Sequence, residues 1–305
     1  MPEQPERYRR WRAPFPVDLA GVLAPLRRGR GDPCLRFDDG GHVWVTANTA
    51  DGPGTLVLRA GDTVVEAKAW GTGAGVLLDG VPRLLGAEDD DSGFAAHHDA
   101  VARARRRFPL LRLGATGRVW DVLVPSVLEQ KVTGYEARRS WRELCRRFGE
   151  PAPGPAPAGM RVPPTPAAIR SVTDWDWHRA GVDLARRTTL VAAARVAHRL
   201  ERAAELRGVP GREFLRQVPG IGVWTSAEIA QRAWGDPDAV SFGDFHIPAV
   251  VGHALVGREL DDAGLHAELA PYAPQRHRAV RYLEAVGFSR PRFGPRAAVR
   301  DYRAI

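Results

Sequence analysis

The apolar pattern of this 305-residue chain changes period once, near residue 95, and that switch limits the fold more than any other feature. Up to that point the chain reads mostly as strands, the clearest of them alternating apolar and polar residues. Thr63 to Trp70 places Val65, Ala67 and Ala69 on one face and Glu66 and Lys68 on the other. His42 to Thr46 and Thr55 to Ala60 are two further short strand-like runs. Gly-Asp or Asp-Gly pairs at 31–32, 39–40, 51–52 and 61–62 punctuate them. Val17 to Leu26 reads as a helix leading into the sheet, and the acidic run Glu88 to Asp91 closes the region. The glycine-rich Gly71 to Gly75 lacks the Gly-Lys-Ser/Thr of a P-loop and no helical pattern starts directly after it, so it reads as a plain hairpin loop.

Beyond residue 95 the period is helical. Trp120, Leu123, Val124, Val127 and Leu128 share one face of a helix over 118–132. Thr133-Gly-Tyr-Glu136 has the form of a capping box, in which the Thr hydroxyl and the Glu carboxylate each take a backbone N–H at the helix start. The helix it opens carries Ala137, Trp141, Leu144, Cys145 and Phe148 on one side and stops at Gly149. A Pro/Gly/Ala stretch at 150–166 reads as a linker or long loop, and helical patterns resume near 183–205, 211–217, 223–234, 246–257 and 275–286. The expected class is α+β: a small N-terminal antiparallel-sheet domain with some helix, residues 1–95, followed by an all-α domain, residues 96–305.

Charge follows the same division. Residues 1–95 carry 11 basic and 14 acidic side chains, whereas residues 96–305 carry 33 and 22. The basic part suits a polyanion, nucleic acid before membrane, although an Arg-rich composition alone gives the same count. No apolar run reaches the roughly 18 residues of a membrane span, and the opening MPEQPERYRRWRAPF has no apolar segment of a secretory signal. The only cysteines, Cys34 and Cys145, exclude a four-cysteine zinc site or iron–sulfur cluster and suit a reducing cytoplasm.

One segment carries chemistry. Phe214 to Gln217 and Val223 onward are helical patterns joined by Val218-Pro-Gly-Ile-Gly222. Two glycines around one apolar residue permit a tight reversal, Ile221 would plug the space between the helices, and the second helix would offer unpaired N–H groups to a phosphate. By itself this pattern also describes an ordinary αα-hairpin.

The phrase at 218–225 resembles the helix-hairpin-helix of the DNA glycosylase superfamily, which reads roughly Leu-Pro-Gly-Ile/Val-Gly and then Thr-Ala two residues on. That family has an aspartate some twenty residues later, at the start of the next helix. Here Val240-Ser-Phe-Gly-Asp244-Phe-His-Ile247 supplies one, 22 positions after Gly222. Pro125 to Val132, which contains Gln130-Lys-Val132, looks like the segment placing a wedge in DNA, and Pro271 to Leu283 is similar to the family's late Pro-Tyr helix. A sheet ahead of the helical domain resembles the 3-methyladenine DNA glycosylase II branch.

The resemblance implies a glycosylase that removes alkylated bases from damaged double-stranded DNA, as a cytoplasmic, nucleoid-associated monomer. Asp244 would be the catalytic carboxylate. Gly220, Ile221, Gly222, Trp224, Thr225, Gln130 and Lys131 would face DNA. The carbonyls of Arg216, Val218 and Ile221 would suit a monovalent cation, with no other cofactor and no iron–sulfur cluster. A Lys wedge departs from the usual apolar or Gln residue, and Lys131 also fits a phosphate contact or a solvated helix position. Relatives that cut the backbone have a Schiff-base lysine where this chain has Trp224, and only Lys68 and Lys131 are lysines, so lyase action is not expected.

Trp224 suits stacking on an electron-poor base or packing in the core; Phe242, Phe245, Tyr135 and Trp234 are weaker candidates for pocket walls. Asp236 and Asp238 read as solvated turn residues and His246 as a helix-start residue, while His97-His98 are read on a helix. The acidic first 95 residues read as a support away from the DNA path. Two other functions remain open: a non-catalytic helix-hairpin-helix DNA-binding or damage-sensing protein, and a glycosylase for oxidised or deaminated bases.

Overall fold

A computed structural model describes residues 6–287. The first residues of the segment read for a secretory signal, and residues 288–305 of the helical region, lie outside it. Five strands, β1 (Arg7–Arg12), β2 (Leu35–Phe37), β3 (Val43–Thr49), β4 (Gly52–Ala60) and β5 (Val64–Trp70), form one antiparallel sheet in the order β1-β5-β4-β3-β2. The alternation of β5 is realised: Val65, Ala67 and Ala69 are buried while Glu66 and Lys68 are exposed. Against that face pack α1 (Leu19–Leu23), α2 (Ala74–Asp79) and α3 (Val81–Leu84), through Leu23, Leu77 and Val81.

Two of these elements depart from the sequence reading. The Gly71 to Gly75 segment is no hairpin loop, because α2 begins inside it. Gly73 starts that helix in a space bounded by Gly52 O and Thr49 Oγ1, which a Cβ would overlap at 2.5 and 2.6 Å. β1, in the charged stretch Arg7–Arg12, gave no alternating signal, since it is an edge strand with little of its surface buried.

The helical part has two cores. The first holds α5 (Val119–Leu128), α6 (Gly134–Phe148), α7 (Pro166–Ser171), α8 (Asp174–Ala180), α9 (Leu184–Arg195), α10 (Ala197–Leu200), α11 (Ala203–Leu206), α12 (Gly208–Leu215) and α13 (Val223–Ala233). The second gathers the earlier α4 (Asp99–Arg107) with α14 (Ile247–Val256), α15 (Asp262–Leu269) and α16 (Arg276–Val286), around Val101, Val251, Leu265 and Leu283. His97 and His98 precede α4 instead of lying on it; His98 is the residue before its first turn, and its backbone N–H donates to the Tyr272 hydroxyl. No helix of the described residues is long and apolar enough to cross a membrane.

The 150–166 stretch is a packed strap. Met160 and Val162 are buried, Arg161 N–H donates to Pro33 O at 2.8 Å, and Thr46 Oγ1 and Asn48 Nδ2 donate to Arg161 O and Pro163 O. It ties the sheet to the first helical core. The predicted capping box of α6 is present, with Thr133 Oγ1 accepting from Glu136 N–H and Glu136 accepting from Thr133 N–H. Gly149 ends α6 in extended geometry, and its missing Cβ leaves room for Val162 O, 2.3 Å from where that atom would sit.

His277 on α16 gives the fold an acid weakness. Burial, and then the charges of Arg281, Arg232 and Arg278, hold its imidazole well below the ordinary value of 6.5. The unfolded chain binds a proton near that ordinary value and the folded chain does not. Its contribution to stability is therefore complete above pH 6.5 and is lost as pH falls below it. Urea unfolding at pH 7.5 and pH 5 should show wild type losing about 1–2 kcal/mol more than His277→Gln over that interval; equal losses would exclude His277 as the cause.

Candidate active site

The hairpin is built as its sequence demands. α12 ends at Leu215, Val218 N–H donates back to Leu215 O, and Ile221 N–H donates to Val218 O at 3.0 Å. Val218 and Ile221 enter the first helical core, and Pro219, Gly220 and Gly222 stay at the surface. The two glycines serve different ends. Gly220 has φ of +88°, and a Cβ there would lie 1.9 Å from Thr189 Oγ1 on α9. Gly222 has ordinary extended geometry and nothing within 4 Å of a Cβ, so no contact inside the protein requires it to be glycine. It immediately precedes α13, whose start has no side-chain cap.

The turn between α5 and α6 is fastened to this hairpin. Gln130 Nε2 donates to Gly220 O at 2.9 Å and to Thr225 Oγ1 at 2.7 Å. Thr225 is buried, so its side chain supports the turn from within. Lys131 is exposed and takes the left-handed backbone, φ +54°, which costs a non-glycine residue about 1 kcal/mol. α5 is itself steadied at its far end by the Glu201 carboxylate, which accepts from Val119 N–H and Trp120 N–H at 2.8 Å each.

Asp244 lies between the two helical cores. Its Oδ1 accepts from His246 N–H at 2.6 Å and Ile247 N–H at 3.0 Å, closing the start of α14. Its Oδ2 accepts from Trp224 Nε1–H at 2.8 Å, in the first turn of α13. One half-buried carboxylate thus joins the hairpin helix to the next helix, with three N–H donors fixing its plane. Behind it, Gln231 Nε2 donates to Ala239 O and Ser241 Oγ, Ser241 Oγ–H donates to Glu228 Oε1, and Arg232 pairs with Glu228 at 2.8 Å. Sequence reading missed this support. Its trace is three polar residues, Glu228, Gln231 and Arg232, at spacings of three and four in the second half of α13.

The aromatic candidates separate. Trp224 is half-buried with its ring N–H committed to Asp244. Phe242 stacks on His266 at 3.6 Å between centroids, whereas Phe245 (71% exposed) and Tyr135 (58%) project at the surface. Trp234 is core, donating from Nε1 to Asp236 Oδ2. His246 precedes the first turn of α14 and is exposed.

Asp236 and Asp238 are not solvated turn residues. Asp236 is buried and paired with Arg212, and Asp238 accepts from both Nε and Nη2 of Arg276, raising that guanidinium above its ordinary pKa. Both aspartates pin the approach to Asp244 onto distant helices. At the turn, Val218 O accepts one hydrogen bond and retains a second lone pair. Uncharged carbonyls of this kind suit a weakly held monovalent cation and not a transition metal.

No family model matches the sequence, and no curated protein does. Solved structures do. The 3-methyladenine DNA glycosylase of Archaeoglobus fulgidus aligns over 90% of this chain and 96% of its own, with a TM-score of 0.75 and 15% identity. The 8-oxoguanine glycosylase/lyase of Clostridium acetobutylicum, in its apo form, aligns over 92% and 98%, with a TM-score of 0.70 and 10% identity. The 3-methyladenine DNA glycosylase of Schizosaccharomyces pombe in complex with abasic DNA aligns over 62% and 91%, with a TM-score of 0.52 and 18% identity. The chain shares their fold.

Proposed function

We propose that this chain, with the fold of the helix-hairpin-helix DNA glycosylases, is a monofunctional glycosylase. It would flip an alkylated purine out of duplex DNA and hydrolyse its N-glycosidic bond. The observation that carries the reading is the Asp244 carboxylate, fixed by Trp224, His246 and Ile247 beside the hairpin. In hydrolysis the C1′–N bond electrons leave with the base and positive charge grows on the sugar. Water then adds to C1′ and gives up a proton. A carboxylate at that sugar stabilises the oxocarbenium and orients the water. An alkylated purine is already cationic and leaves as a neutral base, so no second acid is required.

The hairpin supports DNA binding in this reading: the N–H groups of Gly220, Gly222 and Trp224 hold a phosphate at the uncapped start of α13. A monovalent cation on the carbonyls of Arg216, Val218 and Ile221 would stiffen the same turn. Lys131 occupies the wedge position, while Gln130 holds its turn in place. Exposed Phe245 and Tyr135 are candidates for contact with the flipped base. Trp224 stands where a lyase would need an amine, and an indole forms no Schiff base. The protein would act as a cytoplasmic monomer, with residues 1–95 and 96–305 as its two domains.

The test is base release from duplexes carrying 3-methyladenine, 7-methylguanine, hypoxanthine, uracil or 8-oxoguanine, with borohydride present in parallel. Release of methylated purines without a trapped adduct is expected. Release of 8-oxoguanine with a trapped adduct would replace the proposal by an oxidised-base lyase, and tight binding without release by a damage sensor. Trp224→Phe retains a ring but loses the donor to Oδ2. It should lower kcat about tenfold, the worth of one hydrogen bond to a charged group, with KM for DNA little changed.

A further inference from the structure

The N-terminal region reaches the turn between α5 and α6 that carries Gln130 and Lys131. Between α1 and β2 runs Arg27-Arg-Gly-Arg-Gly-Asp32. Both ends of this loop are bolted to the first helical core. Pro25 O accepts from Arg232 Nε–H at 2.9 Å, and the buried Arg28 guanidinium donates to Glu129 Oε1 at 3.2 Å, next to Gln130. At the other end the buried Asp32 carboxylate accepts from Arg28 N–H, Cys34 N–H and Trp141 Nε1–H of α6.

The tip of the loop lies on α6. A Cβ on Gly29 would be 3.1 Å from Arg138 Cδ, and one on Gly31 would be 3.2 Å from Arg142 Cδ. Arg138 and Arg142 are four residues apart and share a helix face, so the loop backbone rides on their aliphatic stems. Arg30, exposed, sits at the tip between the two glycines. The Arg138 guanidinium reaches back over the first turn of α6, 3.9 Å from a Cβ placed on Gly134, close in the chain to the Lys131 turn that Gln130 fastens to the hairpin.

Charge pairing distinguishes this cluster from the rest of α6. Arg146 and Arg147 pair with Glu143, Arg147 pairs also with Asp176, and Arg139 has a partner of its own. Among the described residues Arg30, Lys131, Arg138 and Arg142 form no ion pair with a carboxylate. Arg138 and Arg142 underlie the loop that carries Arg30, and cations held together with no paired carboxylate repel one another, a repulsion that an external anion relieves.

We infer that Arg30 of the N-terminal loop, together with Arg138 and Arg142, forms a second phosphate-binding surface, continuous with the Lys131 turn, that grips the backbone of duplex DNA. This rests on the proposal that the hairpin and Asp244 act on duplex DNA. It assigns the N-terminal region a direct part in binding, through Arg30. Arginine suits the task, since its planar fork meets two phosphate oxygens at once.

The experiment is fluorescence anisotropy with an undamaged duplex from 50 to 200 mM salt, on wild type, Arg30→Gln, Arg142→Gln and the double variant, with melting temperatures as the folding control. Gln keeps most of each stem. Each lost phosphate contact should lower the magnitude of the slope of log K against log salt by about 0.9, a change of about threefold in affinity over that salt range. Unchanged slopes and affinities in the double variant overturn the inference. If Gly222→Asp destroys duplex binding while the double variant binds as wild type does, only this surface falls. If wild type shows no salt-dependent duplex binding, the functional proposal falls with it. A reduced slope here, with no base release from the damaged duplexes, upholds the surface and overturns the glycosylase.

Discussion

Asp244→Asn should reduce base release by about 10²–10⁴-fold and leave duplex affinity nearly unchanged. The substitution preserves shape and, with it, an oxygen acceptor for His246 N–H and Ile247 N–H, so the start of α14 remains closed. What it removes is a full negative charge beside the sugar. A unit charge about 4 Å from a developing cation contributes about 4 kcal/mol at an effective dielectric near 20, which corresponds to roughly three orders of magnitude in rate. The amide also presents a donor toward Trp224 Nε1–H unless it turns away, which adds disorder at the carboxylate position. Single-turnover release at saturating enzyme isolates this effect from binding, and anisotropy reports the affinity. Equal rates for wild type and variant would remove Asp244 from the chemistry and leave a binding protein.

The proposed mechanism depends as much on what faces Asp244 as on the carboxylate. Trp224 donates to Oδ2 from the position where a backbone-cutting relative would carry an amine. Under the proposed function the same residue would orient the carboxylate and deny the site a Schiff-base nucleophile. That would couple two properties that are separable in principle: the carboxylate's geometry and the proposed absence of a lyase step.

What was legible in the sequence was local. The alternation of Val65, Ala67 and Ala69, the capping box at Thr133 and Glu136, and the glycine-bounded Ile221 each depend on neighbours within a few positions, and each is present in the fold. What was misread depended on partners far along the chain. Asp236 and Asp238 look like turn residues until Arg212 and Arg276 arrive from 24 and 38 positions away. The support that Gln130 gives the hairpin was hidden in the same way, since its Nε2 donates to Gly220 O and Thr225 Oγ1 across 90 and 95 positions. The proline-rich strap at 150–166 has a linker's composition, yet Met160 and Val162 are buried and Arg161 bonds the sheet. Composition reports the cost of ordering a segment and says nothing of the distant contacts that offset it. The two cores of the helical part were hidden for the same reason, since α4 joins α16 from the other end of the chain.

The two hairpin glycines should separate folding from binding. Gly220→Ala places a Cβ 1.9 Å from Thr189 Oγ1 and 3.0 Å from Thr189 Cβ, in a backbone with φ of +88° that L-residues avoid. Thr189 is buried and its hydroxyl donates to Ala185 O, so it has little freedom to retreat. Left-handed strain of about 1–2 kcal/mol and overpacking of about 1–3 kcal/mol together predict a loss of roughly 2–5 kcal/mol in urea unfolding. Gly222→Ala meets neither penalty: its backbone is extended and its Cβ would enter open space. Its stability should remain within about 0.5 kcal/mol of wild type. The added methyl nevertheless occupies the surface where a phosphate is proposed to approach the uncapped start of α13. Duplex affinity should therefore fall about tenfold, the equivalent of roughly 1.4 kcal/mol. If Gly222→Ala unfolds as readily as Gly220→Ala, that glycine serves the fold after all. If it folds and binds duplex as wild type does, the hairpin is an ordinary connection and the phosphate site lies elsewhere.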